Sequence, residues 1–436
     1  MDRRPVSLTA YWRLVRDNRN FRLLWGAQAI SELGDWLYSI SIYSLLLELT
    51  GSAQAIALAV VLQELPQLFA APAAGVLNDR LSRKRIMIFA DLVRAAIVLL
   101  MILVQTRELI GVVYALLLAE TMMWAFFEPA RSSMIPTVTP PEDLLVANSI
   151  SSTTWSVNLA VGSAVGGLVA VAFGRNTVFL LNALSFLVSA ALLRRMRVTE
   201  PHMAGAPPMK VRELTDFSPV LDGLRYVTRD RRRLATLLTK AGLGLAATSW
   251  VLLPVLGERY FPVSAPGLDP TRAGMLGMSL LMGARGVGAL LGPLIGGYWA
   301  QRMESRLRLG ILAGFLANAA GYLVLGTASS LGLAIAGVVI SHAGGSLVWV
   351  FSTTLLQTQT ADRFRGRVFS ADYACLVVAM SSVTYLAGSL IDHGMSARTV
   401  AALTGLVGLG PALAWAFALR LWKQPAAPSL PDDRHR

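Results

Sequence analysis

The sequence predicts an all-α integral membrane protein in which twelve transmembrane helices form two bundles of six. Three observations predict this fold class. Hydrophobic residues make up 54% of the 436 residues and charged residues only 15%, a composition that a soluble domain of this length would not have. Apolar stretches of membrane-spanning length recur along the chain, and its two halves share an internal repeat.

The twelve predicted spans follow from the length of these stretches, because a helix needs about 20 apolar residues to cross a hydrocarbon core roughly 30 Å thick. Their approximate bounds are 22 to 46, 53 to 77, 86 to 105, 109 to 127, 147 to 173, 177 to 193, 234 to 257, 273 to 299, 308 to 328, 331 to 354, 370 to 391 and 399 to 420. The predicted parts of the chain are an N-terminal six-helix bundle (1–193), a cytoplasmic linker (194–233), a C-terminal six-helix bundle (234–423) and a disordered tail (424–436).

The basic residues predict the orientation of these spans. Of the 39 Lys and Arg residues, 31 fall in the two ends of the chain and in the loops after even-numbered spans. Cytoplasmic loops carry this excess, so the chain is predicted to cross the plasma (inner) membrane many times with both termini cytoplasmic. The net charge of +13 then reflects the membrane topology, and its basic residues are expected to contact lipid headgroups. No nucleic-acid partner is expected.

The repeat is visible in the eleven residues from Gly75, GVLNDRLSRKR, of which a weaker copy, GYWAQRMESRL, begins 222 residues later at Gly297. A Gly at the end of an apolar run, followed by an acid and several bases, suits a short cytoplasmic turn between two membrane helices. A second pair of matching segments, from Met134 and from Leu355, has an offset of 221 residues. Two joined copies of one bundle are the usual build of secondary transporters.

Within the predicted linker, the apolar residues between Ser218 and Leu237 recur at helical spacing. This pattern predicts an amphipathic segment that lies along the inner face of the membrane. The alternative is a solvated linker helix without a regulatory role.

Several motifs resemble those of the major facilitator superfamily. GVLNDRLSRKR is similar to the signature loop between that family's second and third helices, with Gly75, Asp79, Arg80, Arg83 and Lys84 as the matching residues. Four further stretches, NFRLLWGAQAISELGDW, ADLVRA, FFEPARSSMIP and FRGRVFSAD, resemble the branch that holds enterobactin exporters and macrolide efflux proteins. The resemblance covers nearly the whole chain and implies the major facilitator superfamily fold and secondary-active export of drug-like, macrolide or siderophore cargo.

One departure weakens the implication of proton antiport. The fifth helix of proton-driven exporters in this superfamily often carries a Gly-x-x-x-Gly-Pro-x-x-Gly-Gly run, but here Asn158 and Ser163 replace its first Gly and its Pro. The full spacing appears instead from Gly288 to Gly297 in the eighth span, where we predict a packing face of small residues.

Neither a cofactor nor a metal site is expected, and the chain is not predicted to be an enzyme. The single Cys375 lies inside a predicted span, and the sequence has no phosphate-binding loop of the GxxxxGK[ST] type, so ATP hydrolysis by that route is excluded. Transport must then be driven by a gradient, with protons and a small-molecule substrate as partners. We expect a monomer in the bilayer.

The candidate site consists of ionisable groups at the middle of spans. Each costs at least ~2.5 kcal/mol to insert, so each needs a partner, a water-filled cavity or a proton. These groups are Asp35, Glu64, Glu120, Arg285 and His342. Because the helices that carry them line the central cavity in the superfamily, all five are expected to face it.

Asp35 is the candidate proton carrier, because a buried carboxylate beside a cation can switch between a proton-bound and an ion-paired form. Contact with a cationic substrate and a static ion pair are the alternatives. Glu120 has Trp124 one turn further on, a combination that suits a lipophilic cation. An ordinary interhelical hydrogen bond is the alternative for Glu120.

Of the other three groups, Glu64 and His342 each have two alternative roles, and Arg285 has one expected role. Glu64 precedes the helix-loosening Pro66 and has either a cavity role or a structural one. Arg285 is expected to neutralise a carboxylate of the opposite half. His342 shares a helix face with Trp349, and it either relays protons or packs as a hydrogen-bonded residue.

A second group of residues is expected to form a cytoplasmic gate. Asp91 and Arg94, three residues apart, are predicted to pair and to pin the signature loop near Asp79. The resemblance implies that this loop docks against the other half, with Arg365 and Arg367 as its contacts. Plain membrane anchoring is the alternative.

The sequence therefore favours proton-coupled export of small amphipathic molecules by alternating access. A lysophospholipid transporter or flippase, or an uptake permease of the same fold, is the alternative. A sensor without transport activity would form a closed bundle without a central pocket.

Overall fold

The structure is a computed structural model that describes residues 8–203, 210–264, 266–300 and 303–422. Within these ranges the chain is helical and contains no strand. The helices are α1 (Leu8–Asp17), α2 (Arg19–Thr50), α3 (Ala53–Arg80), α4 (Arg83–Met101), α5 (Ile110–Val138), α6 (Leu144–Phe173), α7 (Arg175–Arg194), α8 (Ser218–Thr228), α9 (Arg231–Gly244), α10 (Ser249–Arg259), α11 (Pro270–Ala300), α12 (Glu304–Thr327), α13 (Leu331–Gln359), α14 (Arg365–Asp392) and α15 (Ala397–Ala418). The predicted disordered tail lies outside the described residues.

Ten helical segments of the described residues are long and apolar enough to cross a membrane, with α9 and α10 counted as one. The prediction of an all-helical, multi-pass membrane protein is confirmed. Two further long helices, α2 with 32 residues and α4 with 19, pack in the same bundle. These two carry Glu32, Asp91 and Arg94, three of the buried charged residues described below.

The seventh predicted span is interrupted, which the sequence analysis did not predict. Between α9 and α10 the chain makes a short tight turn that leaves backbone carbonyls without helical partners. The hydroxyl of Tyr322 on α12 donates to the carbonyl of Ala246, and the hydroxyl of Thr384 on α14 donates to that of Ala247 at 3.3 Å. A break at this depth is tolerated because neighbouring helices satisfy the freed groups.

Small residues allow the helices that flank the boundary between the halves to approach closely. A Cβ added at Gly292 of α11 would lie 2.1 Å from the carbonyl oxygen of Ala343 on α13. On another face of α11, a Cβ at Gly286 would lie 2.4 Å from Ala160 of α6. The predicted packing face of α11 is therefore confirmed, and it joins α11 to α13 while the neighbouring face joins the two halves.

One end of the bundle is held closed where α14 of the C-terminal half meets the turn between α2 and α3. The Asp392 carboxylate accepts hydrogen bonds from the backbone N–H groups of Ala53 and Gln54 at 2.8 and 3.0 Å. The Arg259 guanidinium, at the end of α10, donates to the carbonyl of Gly51 at 2.6 Å. We call this contact the far-end seal, since it lies opposite the end that carries the Gly75–Arg85 loop.

The predicted amphipathic segment contains helix α8, which packs against α14 and α9. Val227 of α8 is fully buried, and the ring of Tyr226 stacks on Phe364 with centroids 4.3 Å apart. Arg367 at the start of α14 pairs with Asp222 of α8 at 3.6 Å. This part of the linker is thus a docked element of the C-terminal half.

Candidate functional site

A cavity of about 830 Å³ lies between the two halves. Its lining runs from Tyr43 and Val60 to Gly75 and Asn148, so it reaches towards the loop end of the bundle. The N-terminal half supplies most of the wall, from α2, α3, α5 and α6, and the C-terminal half supplies Trp250, Trp349 and Tyr373. Five of the predicted cavity residues line it, namely Asp35, Glu64, Glu120, Trp124 and Trp349.

The first set of charges, the Asp35 cluster, consists of Asp35, Asp91 and Arg94. Arg94 Nη2 lies 2.7 Å from Asp35 Oδ2, and Arg94 Nη1 lies 3.8 Å from Asp91 Oδ1. Asp91 also accepts a hydrogen bond from the Ser189 hydroxyl at 2.6 Å. The guanidinium lies 4.0 Å from the ring centroid of Phe186 and is almost completely buried. One cation therefore serves two carboxylates beside the cavity.

The position of Asp91 and Arg94 corrects a prediction of the sequence analysis, which placed this pair with the gate loop. Eleven residues of α4 separate Arg94 from Arg83 at its start, and a helix rises about 1.5 Å per residue, so the distance along the axis is about 16 Å. The pair is close to the loop in the sequence but not in the structure. The pair belongs to the Asp35 cluster rather than to the loop.

Glu120 and Trp124 lie together on α5, as predicted, but the chain supplies a cation to them. The Arg94 guanidinium lies 5.3 Å from the centroid of the Trp124 ring and interacts electrostatically with Glu120. Trp124 also stacks on Phe127, with centroids 6.2 Å apart. The chain itself thus places a cation beside this carboxylate and its aromatic neighbour.

A second set of charges, the Glu32 cluster, was missed by the sequence analysis. Arg131 donates two hydrogen bonds to the Glu128 carboxylate, at 2.8 and 2.6 Å, and a third to Gln28 Oε1 at 2.8 Å. The Gln28 amide in turn donates to Glu32 Oε1 at 2.9 Å. All four residues line the cavity. The fourth predicted span ended before Pro129, whereas α5 continues to Val138 and carries Arg131 into the site.

Arg285 and His342 do not appear among the residues that line the cavity. Arg285 lies 3.5 Å from the centroid of the Trp250 ring and interacts electrostatically with Glu64 of the opposite half, but it forms no ion pair within 4.0 Å among the described residues. His342 Nδ1 lies 3.1 Å from the carbonyl oxygen of Val338. The surroundings of His342 are those of the packing residue that was its alternative role.

The Gly75–Arg85 loop contacts the linker. The Glu200 carboxylate accepts hydrogen bonds from the backbone N–H of Arg83 at 2.7 Å and from the Ser82 hydroxyl at 2.5 Å, which caps the N-terminus of α4. Arg80 pairs with Glu213 at 2.5 Å. Within the loop, Asp79 lies 3.8 Å from Arg83.

The remaining members of the predicted gate also have definite places. Lys84 Nζ donates to the carbonyl of Met196 at 2.8 Å, so it too is tied to the segment after α7. Gly75 lines the cavity. Arg367, predicted to contact this loop, pairs with Asp222 instead. Two linker acids that sequence reasoning did not single out, Glu200 and Glu213, thus hold the loop.

Known proteins resemble this chain along most of its length. The family described as transmembrane secretion effector matches residues 12–433. An uncharacterised transporter of the major facilitator superfamily type, YfiS of Bacillus subtilis, is 29% identical over 391 residues, covering 86% of this chain and 87% of that protein. Macrolide efflux protein A of Streptococcus pyogenes is 26% identical over 394 residues, covering 88% and 90%.

A solved structure has the same fold. The crystal structure of the nucleoside transporter NupG superimposes with a TM-score of 0.70 at 10% sequence identity, covering 91% of this chain and 99% of that one. At this identity the likeness concerns the fold alone. The match of the family to nearly the whole sequence decides the identity: the chain belongs to the transmembrane secretion effector family of major facilitator superfamily transporters.

Proposed function

We propose that this transporter exports small amphipathic molecules in exchange for protons, by alternating access of two six-helix halves around the central cavity. The observation that carries the proposal is the Asp35 cluster, in which two carboxylates share one guanidinium at the wall of a cavity of about 830 Å³. The similarity to a macrolide efflux protein supports export as the direction.

The composition of the Asp35 cluster supports a proton-binding role. Asp35, Asp91 and Arg94 together carry one negative charge in excess, and a low-dielectric site favours neutralisation of such a charge. A proton on Asp35 neutralises the cluster and frees Arg94 to pair more closely with Asp91. Loss of that proton restores the pair at 2.7 Å, so protonation is coupled to the position of a side chain in the cavity wall.

The orientation in the membrane is part of the proposal. Twelve spans, cytoplasmic termini and a plasma-membrane location place the loop end of the bundle inside the cell. The cavity, which reaches towards that end, then faces the cytoplasm while the far-end seal closes the opposite side. This is the state that a cargo molecule would enter before export. The six-helix bundles at 1–193 and 234–423 act as the two moving bodies of a monomer.

The proposal is tested by measuring efflux of macrolides, dyes and siderophores from cells, with and without a proton ionophore. Asp35→Asn is expected to lower export at least tenfold and to remove its dependence on the proton gradient, because the amide cannot carry the proton. Asp269→Asn, at an exposed ion pair outside the cavity, is the matched control and should export normally. Unchanged, ionophore-sensitive export by Asp35→Asn would refute proton coupling through this residue.

A further inference from the structure

The cavity wall contains two pairs of a carboxylate and a tryptophan one helical turn apart. Glu120 and Trp124 form one pair on α5, and Glu32 and Trp36 form the other on α2. The first pair already has a cation, because Arg94 lies 5.3 Å from the Trp124 ring and interacts with Glu120. The two pairs therefore differ at the tryptophan, since no cation of the described residues lies over the Trp36 ring.

Glu32 is neutralised by no direct ion pair among the described residues. Its side chain accepts hydrogen bonds from two neutral amides, Gln28 Nε2 at 2.9 Å and Asn158 Nδ2 at 3.4 Å. The residue is only 5% exposed, although it lines the cavity. A carboxylate this buried, with only amide donors, is stabilised by a proton or by a cation that approaches from the cavity side.

The charged groups that face Glu32 do not supply that charge directly. Arg131 also interacts electrostatically with Glu32, but its guanidinium donates two hydrogen bonds to Glu128 and is linked to Glu32 through the Gln28 amide. Glu128 and Asp35 are negative, and both interact electrostatically with Glu32. Asp35 and Glu128 each have an arginine within 4.0 Å, whereas Glu32 is the carboxylate of this group that has none among the described residues.

An aromatic corner adjoins this carboxylate. The rings of Trp36 and Trp155 meet edge to face, with centroids 5.8 Å apart and an interplanar angle of 81°. Both residues line the cavity, and Trp155 is 41% exposed. Gly162 of α6 makes room for this arrangement, since a Cβ there would lie 2.6 Å from the Trp36 Cβ. Indole faces attract an organic cation, whereas a bound proton gains nothing from them.

We infer that Glu32, Trp36 and Trp155 form the site that takes the ammonium group of the cargo, separate from the proton-binding Asp35 cluster. The ligand class is an amphipathic monocation, a protonated amine or quaternary ammonium with an apolar body. Trp349, on the facing wall, is placed to contact that body. Trp250 stacks on Trp36, with centroids 6.1 Å apart, so it bounds this site on the side of the C-terminal half. The Gln28 amide fixes the Glu32 carboxylate, so Arg131 positions the site without entering it. This inference rests on the proposed function, since it assigns the residues that bind the cargo during the proposed export cycle.

The test uses two probes of the same shape that differ in charge. One is a pyrene carrying a trimethylammonium group, and the other is the neutral analogue in which tert-butyl replaces that group. Dissociation constants are measured by pyrene fluorescence on the full chain in lipid nanodiscs. The variants are Glu32→Gln, which keeps the hydrogen-bonding shape, Trp155→Leu, Trp155→Phe and the control Glu304→Gln, at an exposed ion pair outside the cavity.

We expect Glu32→Gln to raise the dissociation constant of the cation at least tenfold and to leave that of the neutral probe unchanged. Trp155→Leu should weaken cation binding about fivefold, and Trp155→Phe should restore most of it. Glu304→Gln should change cation binding less than threefold. Equal losses for both probes would indicate a structural role for Glu32. Cation binding that Glu32→Gln leaves intact, or no saturable binding to the unmodified chain, would overturn the inference.

A parallel measurement separates this inference from the proposed function. Asp35→Asn is expected to keep cation binding within threefold while it abolishes proton-driven export from cells. If export remains dependent on Asp35 but Glu32→Gln binds the cation normally, the cargo site is wrong and the proposed function stands. If Asp35→Asn exports normally while Glu32→Gln loses cation binding, the coupling assignment fails and the cargo site stands.

Discussion

The two halves differ in how their buried charges are balanced, although the sequence predicts that they are copies of one bundle. In the N-terminal half, the Asp35 and Glu32 clusters place more carboxylates than cations along the cavity. In the C-terminal half, Lys240 and Asp372 form a closed one-to-one pair at 2.5 Å, with side chains 7% and 2% exposed. A cluster with excess negative charge can be neutralised by a proton or a cation. A pair with equal and opposite charges needs no such neutralisation.

The facing walls differ in the same way. The C-terminal half presents Trp250, Trp349 and Tyr373 to the cavity, and its cations lie behind these rings. Lys240 Nζ lies 4.7 Å from the Trp349 ring, and Arg285 lies 3.5 Å from the Trp250 ring. The N-terminal half thus supplies the exchangeable charges, and the C-terminal half supplies an aromatic wall backed by cations. We expect variants of the two halves to differ accordingly.

The largest effect is expected at Arg94, the shared cation of the N-terminal half. Arg94→Met leaves the buried Asp35 and Asp91 without a counter-charge, which should lower the free energy of unfolding by about 3–5 kcal/mol and abolish export. Denaturant unfolding in detergent measures the loss, and Arg16→Met, at an exposed ion pair, is the control. Adding Asp35→Asn and Asp91→Asn should restore stability without export. An Arg94→Met protein of normal stability would show that the cluster is not a buried charge network.

The C-terminal pair should behave oppositely. Asp372→Leu alone leaves Lys240 unpaired and should cost about 3–5 kcal/mol, while Asp372→Leu with Lys240→Met should recover most of that loss. Because this pair is neutral as a unit, the double variant is expected to export within about threefold of the unmodified chain. A double variant that folds well but does not export would contradict the assignment of the exchangeable charges to the N-terminal half.

These same residues show which features of the site can be predicted from the sequence alone. The mid-span carboxylates Asp35, Glu64 and Glu120 line the cavity, which is where the rule that a charge in hydrocarbon must face polar surroundings predicts them. Their partners were not predictable in the same way. The pairing of Lys240 with Asp372 joins residues 132 positions apart, and no local pattern encodes such a contact.

Local rules also misled at two places. The fourth predicted span ended at residue 127, but α5 continues through Pro129 to Val138 and brings Arg131 to the cavity. The break between α9 and α10 carries no strong sequence signal, since it depends on hydroxyl groups that α12 and α14 donate to its carbonyls. Both errors concern places where tertiary contacts override the preference of a local segment.

An intermediate effect on the transport conformations is expected at the far-end seal, where the C-terminal half contacts the N-terminal half. Asp392 at the N-terminus of α3 and Arg259 at the C-terminus of α2 match the signs of both helix ends. Asp392→Asn removes charge-assisted hydrogen bonds, each with a net value of about 1.5–3 kcal/mol, so the population open at this end should rise about tenfold or more. Spin labels at Glu48 and His393 would report a longer distance, and an unchanged distribution would contradict the assignment.

The smallest effect is expected where the repeated loops themselves differ. In the N-terminal half, Ser82 and Glu200 cap α4, whereas in the C-terminal half α12 begins at Met303 without a side-chain cap. Glu200→Gln should therefore lower the free energy of unfolding by about 0.5–1 kcal/mol, and Met303→Ser should raise it by a similar amount, with export changed less than twofold in both. Thermal unfolding in detergent gives the sign of each change. A large loss of export in Glu200→Gln would mean that the linker takes part in the transport cycle, because a lost helix cap alone affects stability and leaves the cavity unchanged.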